Sequence, residues 1–147
     1  MTDPKNMPLG RLLANLGRQH AMRIDQLMEQ VGLYRGQAIL LLTLAEGDGL
    51  KSPLTHSEIA EKLRISPAAA SKVIKRMESL GYVRRDPDPL DERVSRVTLL
   101  EGGRAKLDDI HAVFDTINLR MVCGFSPEEQ AELRDFLLRI YNNLQAG

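Results

Sequence analysis

The stretch THSEIAEKLRISPAAASKVIKRMESLGYVRR, residues 55–85, decides the fold. It opens on Thr55-His56-Ser57-Glu58, a capping-box pattern in which the threonine hydroxyl takes the amide of the third helical residue and Glu58 reaches back. Ile59, Ala60 and Leu63 form the apolar side of the helix that follows. That helix has to be short, because Ser66-Pro67 announces another. Serine is a favoured N-cap, and a proline in the first turn gives up only an amide that has no partner there. Two helices joined by so tight a turn make a helix-turn-helix. The second helix, Pro67 to Leu80, separates its faces. Ala70, Val73, Ile74, Met77 and Leu80 predict a buried stripe, while Ala68, Ser71, Lys72, Lys75, Arg76 and Ser79 face outward. Ala68, Ala69 and Ser71 are small enough for close approach to base edges. The basic residues behind them suit phosphates, and the positive end of the helix dipole helps further. Gly81 closes the helix as a left-handed cap.

Toward the C-terminus, Tyr82–Arg85 and Val94–Leu99 read as strands, the second with clear alternation. Between them Asp86-Pro87-Asp88-Pro89-Leu90-Asp91-Glu92 is a proline-stiffened loop. A β-hairpin directly after a recognition helix is a wing. Arg93 ends the loop just beyond Asp91, whose carboxylate can hold the guanidinium extended, the shape and charge that suit a narrow minor groove. After Gly102-Gly103 a helix is expected from about Arg104 to Cys123, carrying Leu107, Ile110, Val113, Phe114, Ile117 and Met121 at helical spacing. Ser126-Pro127-Glu128-Glu129 is a second capping box, opening a final helix with Leu133, Phe136, Leu137, Ile140, Tyr141 and Leu144.

Toward the N-terminus, Leu9, Leu12, Leu13 and Leu16, then Ile24, Leu27, Met28 and Val31, predict amphipathic helix stopped at Gly32. A helix from about Tyr34 to Glu46 holds Ile39, Leu40, Leu41, Leu42 and Leu44, too apolar for a surface element and therefore central; Gly47-Asp48-Gly49 is expected to end it. The fold class is mostly α with a small β-hairpin: a winged helix-turn-helix between terminal helices. Two long amphipathic ends around a small central unit have few surfaces on which to bury both stripes. A homodimer is therefore expected, with Leu9, Leu12, Leu13, Leu16, Phe136, Leu137, Ile140 and Leu144 in its interface.

Twenty Lys and Arg balance twenty Asp and Glu, which taken alone argues against a nucleic-acid binder. The distribution reverses that. From Lys62 to Arg85 the basic residues Lys62, Arg64, Lys72, Lys75, Arg76, Arg84 and Arg85 are opposed by Glu78 alone. At 147 residues a single domain is expected. Its apolar run from Ala38 to Leu44 is far below spanning length, and no signal-peptide succession opens it. With Cys123 the only cysteine, no internal disulfide can form, so a cytoplasmic protein without a membrane partner is expected. Zinc takes three or four ligands, and Cys123 lies about 18 Å along a helix from His111, so no metal site is expected and Cys123 is expected to be a buried structural thiol. No glycine-rich phosphate loop, nucleophile elbow or paired metal motif occurs. Neither catalytic residues nor a cofactor are expected, and the chain is not read as an enzyme. The alternative to DNA binding is a winged-helix module that holds another protein through the same helix and hairpin.

The order of elements and many residues within it resemble the MarR family of regulators. Gly32-Leu33 and Gln37, Leu54-Thr55 with Glu58-Ile59-Ala60 and Leu63, and Ile65-Ser66 carry the first part. Met77-Glu78, Leu80-Gly81-Tyr82-Val83-Arg84-Arg85, Asp91-Glu92-Arg93, Val97-Thr98-Leu99 and Ser126-Pro127-Glu128-Glu129 carry the rest. The resemblance spans nearly the whole chain in order and implies one domain over residues 1–147. Within it, about 34–100 form the winged DNA-binding part, and about 5–31 and 101–147 supply dimerisation helices. It implies a sequence-specific transcriptional regulator, a homodimeric repressor on a pseudo-palindromic double-stranded operator, released by a small-molecule effector. By position, Ser66, Ala68, Ala69, Ser71, Lys72, Lys75 and Arg76 would serve the recognition helix, and Arg84, Asp91 and Arg93 the wing. An effector pocket would lie near Leu16, His20, Arg23, Tyr34 and His111. The chain departs from the family at Leu100, where a capping Thr is common, and in its acidic wing, where Asp86, Asp88, Asp91 and Glu92 would repel phosphate unless bridged to Arg84, Arg85, Arg93 or Arg96.

Overall fold

The computed structural model describes residues 3–46 and 53–146. After a short 3-10 turn at Pro4–Asn6 the elements run α1 (Leu9–Gln30), α2 (Arg35–Ala45), β1 (Leu54–Thr55), α3 (His56–Leu63), α4 (Pro67–Ser79), β2 (Val83–Pro87), β3 (Ser95–Leu99), α5 (Glu101–Met121) and α6 (Pro127–Gln145). Gly47, Asp48 and Gly49, expected to end α2, lie outside the described residues. The chain divides into two compact units, Met1–Phe114 and Asp115–Gly147.

In the first unit α2 is central, as its composition requires: Ala38, Leu40, Leu41 and Leu44 are buried. Met28 and Leu33, Ile59, Ile74 and Met77, Val83, Val97 and Ile110 close around it from α1 and the turn after it, α3, α4, the sheet and α5. Full burial of one such aliphatic side chain contributes about 1.5–3 kcal/mol, so this cluster holds the helix-turn-helix and the wing on one core. The stripe of α4 is buried at Ala70, Ile74 and Met77 and half-buried at Val73. Leu80, expected inside, is exposed because it is the C-cap where the helix ends.

The hairpin is part of a three-stranded antiparallel sheet of order β1-β3-β2. β2 and β3 pair from Val83↔Leu99 to Pro87↔Ser95, and β1 adds Leu54↔Val97 and Thr55↔Arg96. The helix expected from about Arg104 begins at Glu101. Gly102 and Gly103 make this start possible. A Cβ on Gly103 would lie 2.3 Å from the Tyr82 carbonyl oxygen and 2.6 Å from Leu99 Cδ1, so the helix approaches the strands as only glycine allows. Leu100 offers no side-chain cap; its own N–H donates to the Tyr82 carbonyl at 3.0 Å, which ties the start of α5 to the approach to β2.

The second unit holds the end of α5 and all of α6. Ser126 Oγ accepts the Glu129 amide at 3.1 Å while Glu129 accepts the Ser126 amide at 2.8 Å, completing the capping box. α6 has no buried residue, and Phe136, Leu137 and Leu144 are exposed. Leu119, Met121, Leu133, Leu137, Leu138 and Tyr141 line an apolar groove of about 670 Å³ within this unit. Cys123, expected to be buried, is a free, exposed thiol. α5 ends at Met121 and the chain turns through Gly124, which takes Cys123 off the helical stripe.

Candidate nucleic-acid interface

The recognition helix is set by its N-terminus. Ser66 Oγ accepts the Ala69 amide at 3.1 Å, and Pro67 occupies the first turn. Beside it, Thr55 Oγ1 accepts the Glu58 amide at 3.2 Å and Glu58 accepts the Thr55 amide at 2.7 Å, which holds the Glu58 carboxyl below the usual carboxylate range. Ser66, Ala68, Ala69, Ser71, Lys72, Lys75 and Arg76 are all exposed on one helix and its cap. No ion pair among the described residues engages Lys72, Lys75 or Arg76. Their charge is free for an anionic partner.

The wing is organised differently. Asp88, almost fully buried, accepts the backbone amides of Leu90 at 2.7 Å and Asp91 at 3.2 Å. Its other oxygen pairs with the Arg96 guanidinium, which also donates to the Pro53 carbonyl at 2.8 Å. The Leu90 amide first, then Arg96, hold the Asp88 carboxyl below its ordinary range. Asp91 grips Arg93 from two sides, accepting Nε–H at 3.0 Å and Nη2–H at 3.3 Å as well as the Arg93 amide at 3.1 Å. These contacts lower the Asp91 pKa, the Arg93 side chain most of all. The Arg93 side chain nevertheless keeps 90% of its surface exposed. Arg84 pairs with Asp86 at 2.9 Å, and Arg85 with Glu78 of α4 at 2.7 Å. Of the four acids whose repulsion was at issue, Asp86, Asp88 and Asp91 are therefore each bridged to an arginine.

Two features escape a reading of the sequence. Asp88 is the buried organiser of the loop, signalled only by the Asp-Pro-Leu-Asp order of a turn. His56 is half-buried: Nδ1 lies 3.5 Å from Ser71 Oγ, and Nε2 is buried without a hydrogen-bond partner. Burial first, then the Arg85 charge, push its pKa down, against a smaller opposing effect of Glu78.

Of the residues expected around an effector, Tyr34 borders a cavity of about 500 Å³ with Asp25, Glu29, Arg35 and Gly36. Leu16, His20, Arg23 and His111 do not border it; all four are exposed, and Arg23 donates to Gln26 Oε1 at 3.0 Å. Among the described residues no helix is long and apolar enough to cross a membrane, and no three His, Cys, Asp or Glu side chains gather as metal ligands. Of the interface candidates, Leu9, Leu16, Phe136, Leu137 and Leu144 are exposed, while Leu12, Leu13 and Ile140 are half-buried.

A family model described as the MarR family matches residues 31–94, from the end of α1 through the wing loop. An HTH-type transcriptional regulator of Bacillus subtilis (strain 168), YdgJ, is 29% identical over 113 residues; the match covers 77% of this chain and 66%, just under two thirds, of that protein's length. The HTH-type transcriptional repressor Rv2887 of Mycobacterium tuberculosis (strain ATCC 25618 / H37Rv) is 26% identical over 133 residues, 90% of this chain and 93% of that one. In fold, the chain matches MepR, a transcription regulator of the Staphylococcus aureus multidrug efflux pump MepA. The TM-score is 0.84 over 94% of this chain and 99% of that one, at 21% identity.

Proposed function

We propose that the chain is a MarR-family protein, a sequence-specific DNA-binding transcriptional regulator acting as a homodimeric repressor. The observation that carries this is the contrast around α4: Lys72, Lys75 and Arg76 lie exposed and unpaired on one face, while the core holds the opposite face. Such a face, cationic behind a small-residue N-terminus, fits the major groove, with Ser66, Ala68, Ala69 and Ser71 nearest the bases and the long cations on phosphates. Arg93, held out by Asp91, enters the minor groove beside it, where a planar permanent cation gains most from a narrow A·T-rich groove. Arg84 lies at the root of the wing.

Leu9, Leu12, Leu13 and Leu16 on α1, with Phe136, Leu137, Ile140 and Leu144 on α6, give residues 5–31 and 101–147 their role as the dimerisation part of one domain. Exposed leucines along α1, and an α6 without any buried residue, are what a second copy would cover. A two-fold dimer presents two recognition helices about 10 bp apart, so the operator is pseudo-palindromic. A dimer across a promoter represses by excluding polymerase. A small-molecule effector releases it by binding better to a dimer whose helices have the wrong separation. The role is cytoplasmic and involves no catalysis.

Selection of bound sequences from a random duplex pool tests this. A palindromic consensus with half-sites about one helical turn apart is the expected result. No enrichment and no retardation of any duplex at low salt would overturn it in favour of a protein-binding winged helix.

A further inference from the structure

Among the described residues, left-handed backbone occurs at Gly32, Gly81, Gly124 and Arg64. The three glycines adopt it without a Cβ clash. Arg64 is the exception, at φ 53° and ψ 46°, as the C-cap of α3. Its amide donates to the Ala60 and Glu61 carbonyls, and the Ile65 amide returns to the Ala60 carbonyl at 3.1 Å. This turn needs a left-handed residue, and glycine would supply one with less strain. Nothing within the described residues needs the arginine. The residue is exposed, and no ion pair or side-chain hydrogen bond holds its guanidinium. A strained position occupied by an unpartnered charged side chain points to a use outside the chain. The position itself names that use, since Arg64 stands two residues before Ser66, the N-cap of α4, on the connection that feeds the recognition helix.

We propose that Arg64 is a phosphate-binding residue of the DNA interface, gripping the duplex backbone beside the point where α4 enters the groove. This rests on the DNA-binding function proposed above. A backbone contact carries no sequence information, so its effect is the same on any duplex.

The experiment compares the full chain with Arg64→Gly and Arg64→Lys. Each is titrated by fluorescence anisotropy, over a range of salt concentrations, onto a duplex with the selected consensus and onto a mixed-sequence duplex. Arg64→Gly is expected to lower the slope of log K against log salt by about one and to weaken binding about eightfold at ~0.1 M salt on both duplexes. Its melting temperature is expected to equal or exceed that of the parent, because glycine relieves the turn. Arg64→Lys keeps the slope. The proposal is overturned by an unchanged slope in Arg64→Gly, by a loss confined to the consensus duplex, by a slope in Arg64→Lys as flat as in Arg64→Gly, or by a lowered melting temperature in Arg64→Gly. If the parent protein binds neither duplex, the DNA-binding function itself is what fails, which the parent titration alone reveals.

Discussion

The recognition helix and the wing carry charge of the same sign in two different states. On α4, Lys72, Lys75 and Arg76 are exposed and hold no carboxylate, whereas Arg84, Arg85, Arg93 and Arg96 around the wing each hold one. An unpaired cation meets phosphate by displacing only condensed counterions, so it contributes fully to salt-dependent affinity. A paired one brings its acid along or must exchange partners, so it adds less to affinity and more to where the guanidinium points. Under the proposed function, the free cations on the helix would supply grip and the tethered cations of the wing would supply aim.

The sharpest test of this division, and the largest effect, is the double substitution of Lys72 and Arg76 by Ala. The slope of log K against log salt is expected to fall by about two, and binding to weaken about sixtyfold at ~0.1 M salt, equally on consensus and mixed duplexes. An unchanged slope would remove both residues from the phosphate contacts. Arg93→Ala is expected to do the opposite in kind: a slope change below one, with a loss of roughly tenfold, about 1.4 kcal/mol, on A·T-rich flanks and far less on G·C-rich flanks. Equal losses on both flanks, measured by competition binding, would break the assignment of aim to the wing.

The helix half of this division is largely legible in the sequence, whereas of the wing only the Asp91–Arg93 pair is. Ser66-Pro67, the spacing of Ala70, Ile74 and Met77, and the cations between them fix which face of α4 is outward, because a helical period and a cap are local properties. The wing depends on pairings across the chain. Arg96 reaches Asp88 and the Pro53 carbonyl, and Arg85 reaches Glu78, contacts that no spacing rule ranks above the other ways of pairing the same acids and arginines. β1 is only Leu54–Thr55, too short to show alternation, and is ordered by pairing with β3. The start of α5 is hidden in the sequence for a related reason. A glycine pair lowers helix propensity locally, yet here it marks a close tertiary approach to Tyr82, and packing outweighs propensity.

A smaller effect separates tether from charge. In Asp91→Asn the side chain still offers an oxygen to the Arg93 amide, but the ion pair with the guanidinium is gone. Removing an acid from the wing raises its net charge, so the salt slope is expected to steepen slightly and affinity for mixed duplexes to rise up to about threefold. Preference for A·T-rich flanks is expected to shrink at the same time, because Arg93 no longer has a fixed direction. Gain of charge with loss of discrimination is a combination that a purely electrostatic wing does not produce. Retained discrimination in Asp91→Asn would show that the loop, through Asp88, aims Arg93 without its carboxylate partner.

His56 is where the two regions meet, and its titration gives the smallest effect. Its ring lies against Ser71 of α4, and burial first, then Arg85 at the root of the wing, disfavour its charged form. Its pKa in the folded chain is below the ordinary histidine value of about 6.5 that it regains on unfolding. The unfolded chain therefore binds the proton more readily. The stability associated with neutral His56 is complete above about pH 6.5 and is lost as pH falls from there through the folded-state value. Asp88 and Asp91, held below the usual carboxylate range, stay charged over that interval, so the wing keeps its pairs while the seam at His56 weakens. Melting temperatures of the parent and of His56→Gln, followed from about pH 7.5 to 5, are expected to diverge, with the parent losing more on acidification because glutamine does not titrate. Since Ser71 lies on the exposed face of α4 that is proposed to meet DNA, the same acidification is expected to loosen α4 from the wing root and to reduce consensus binding in the parent more than in His56→Gln. Parallel melting profiles would place the histidine's titration outside the link between helix and wing.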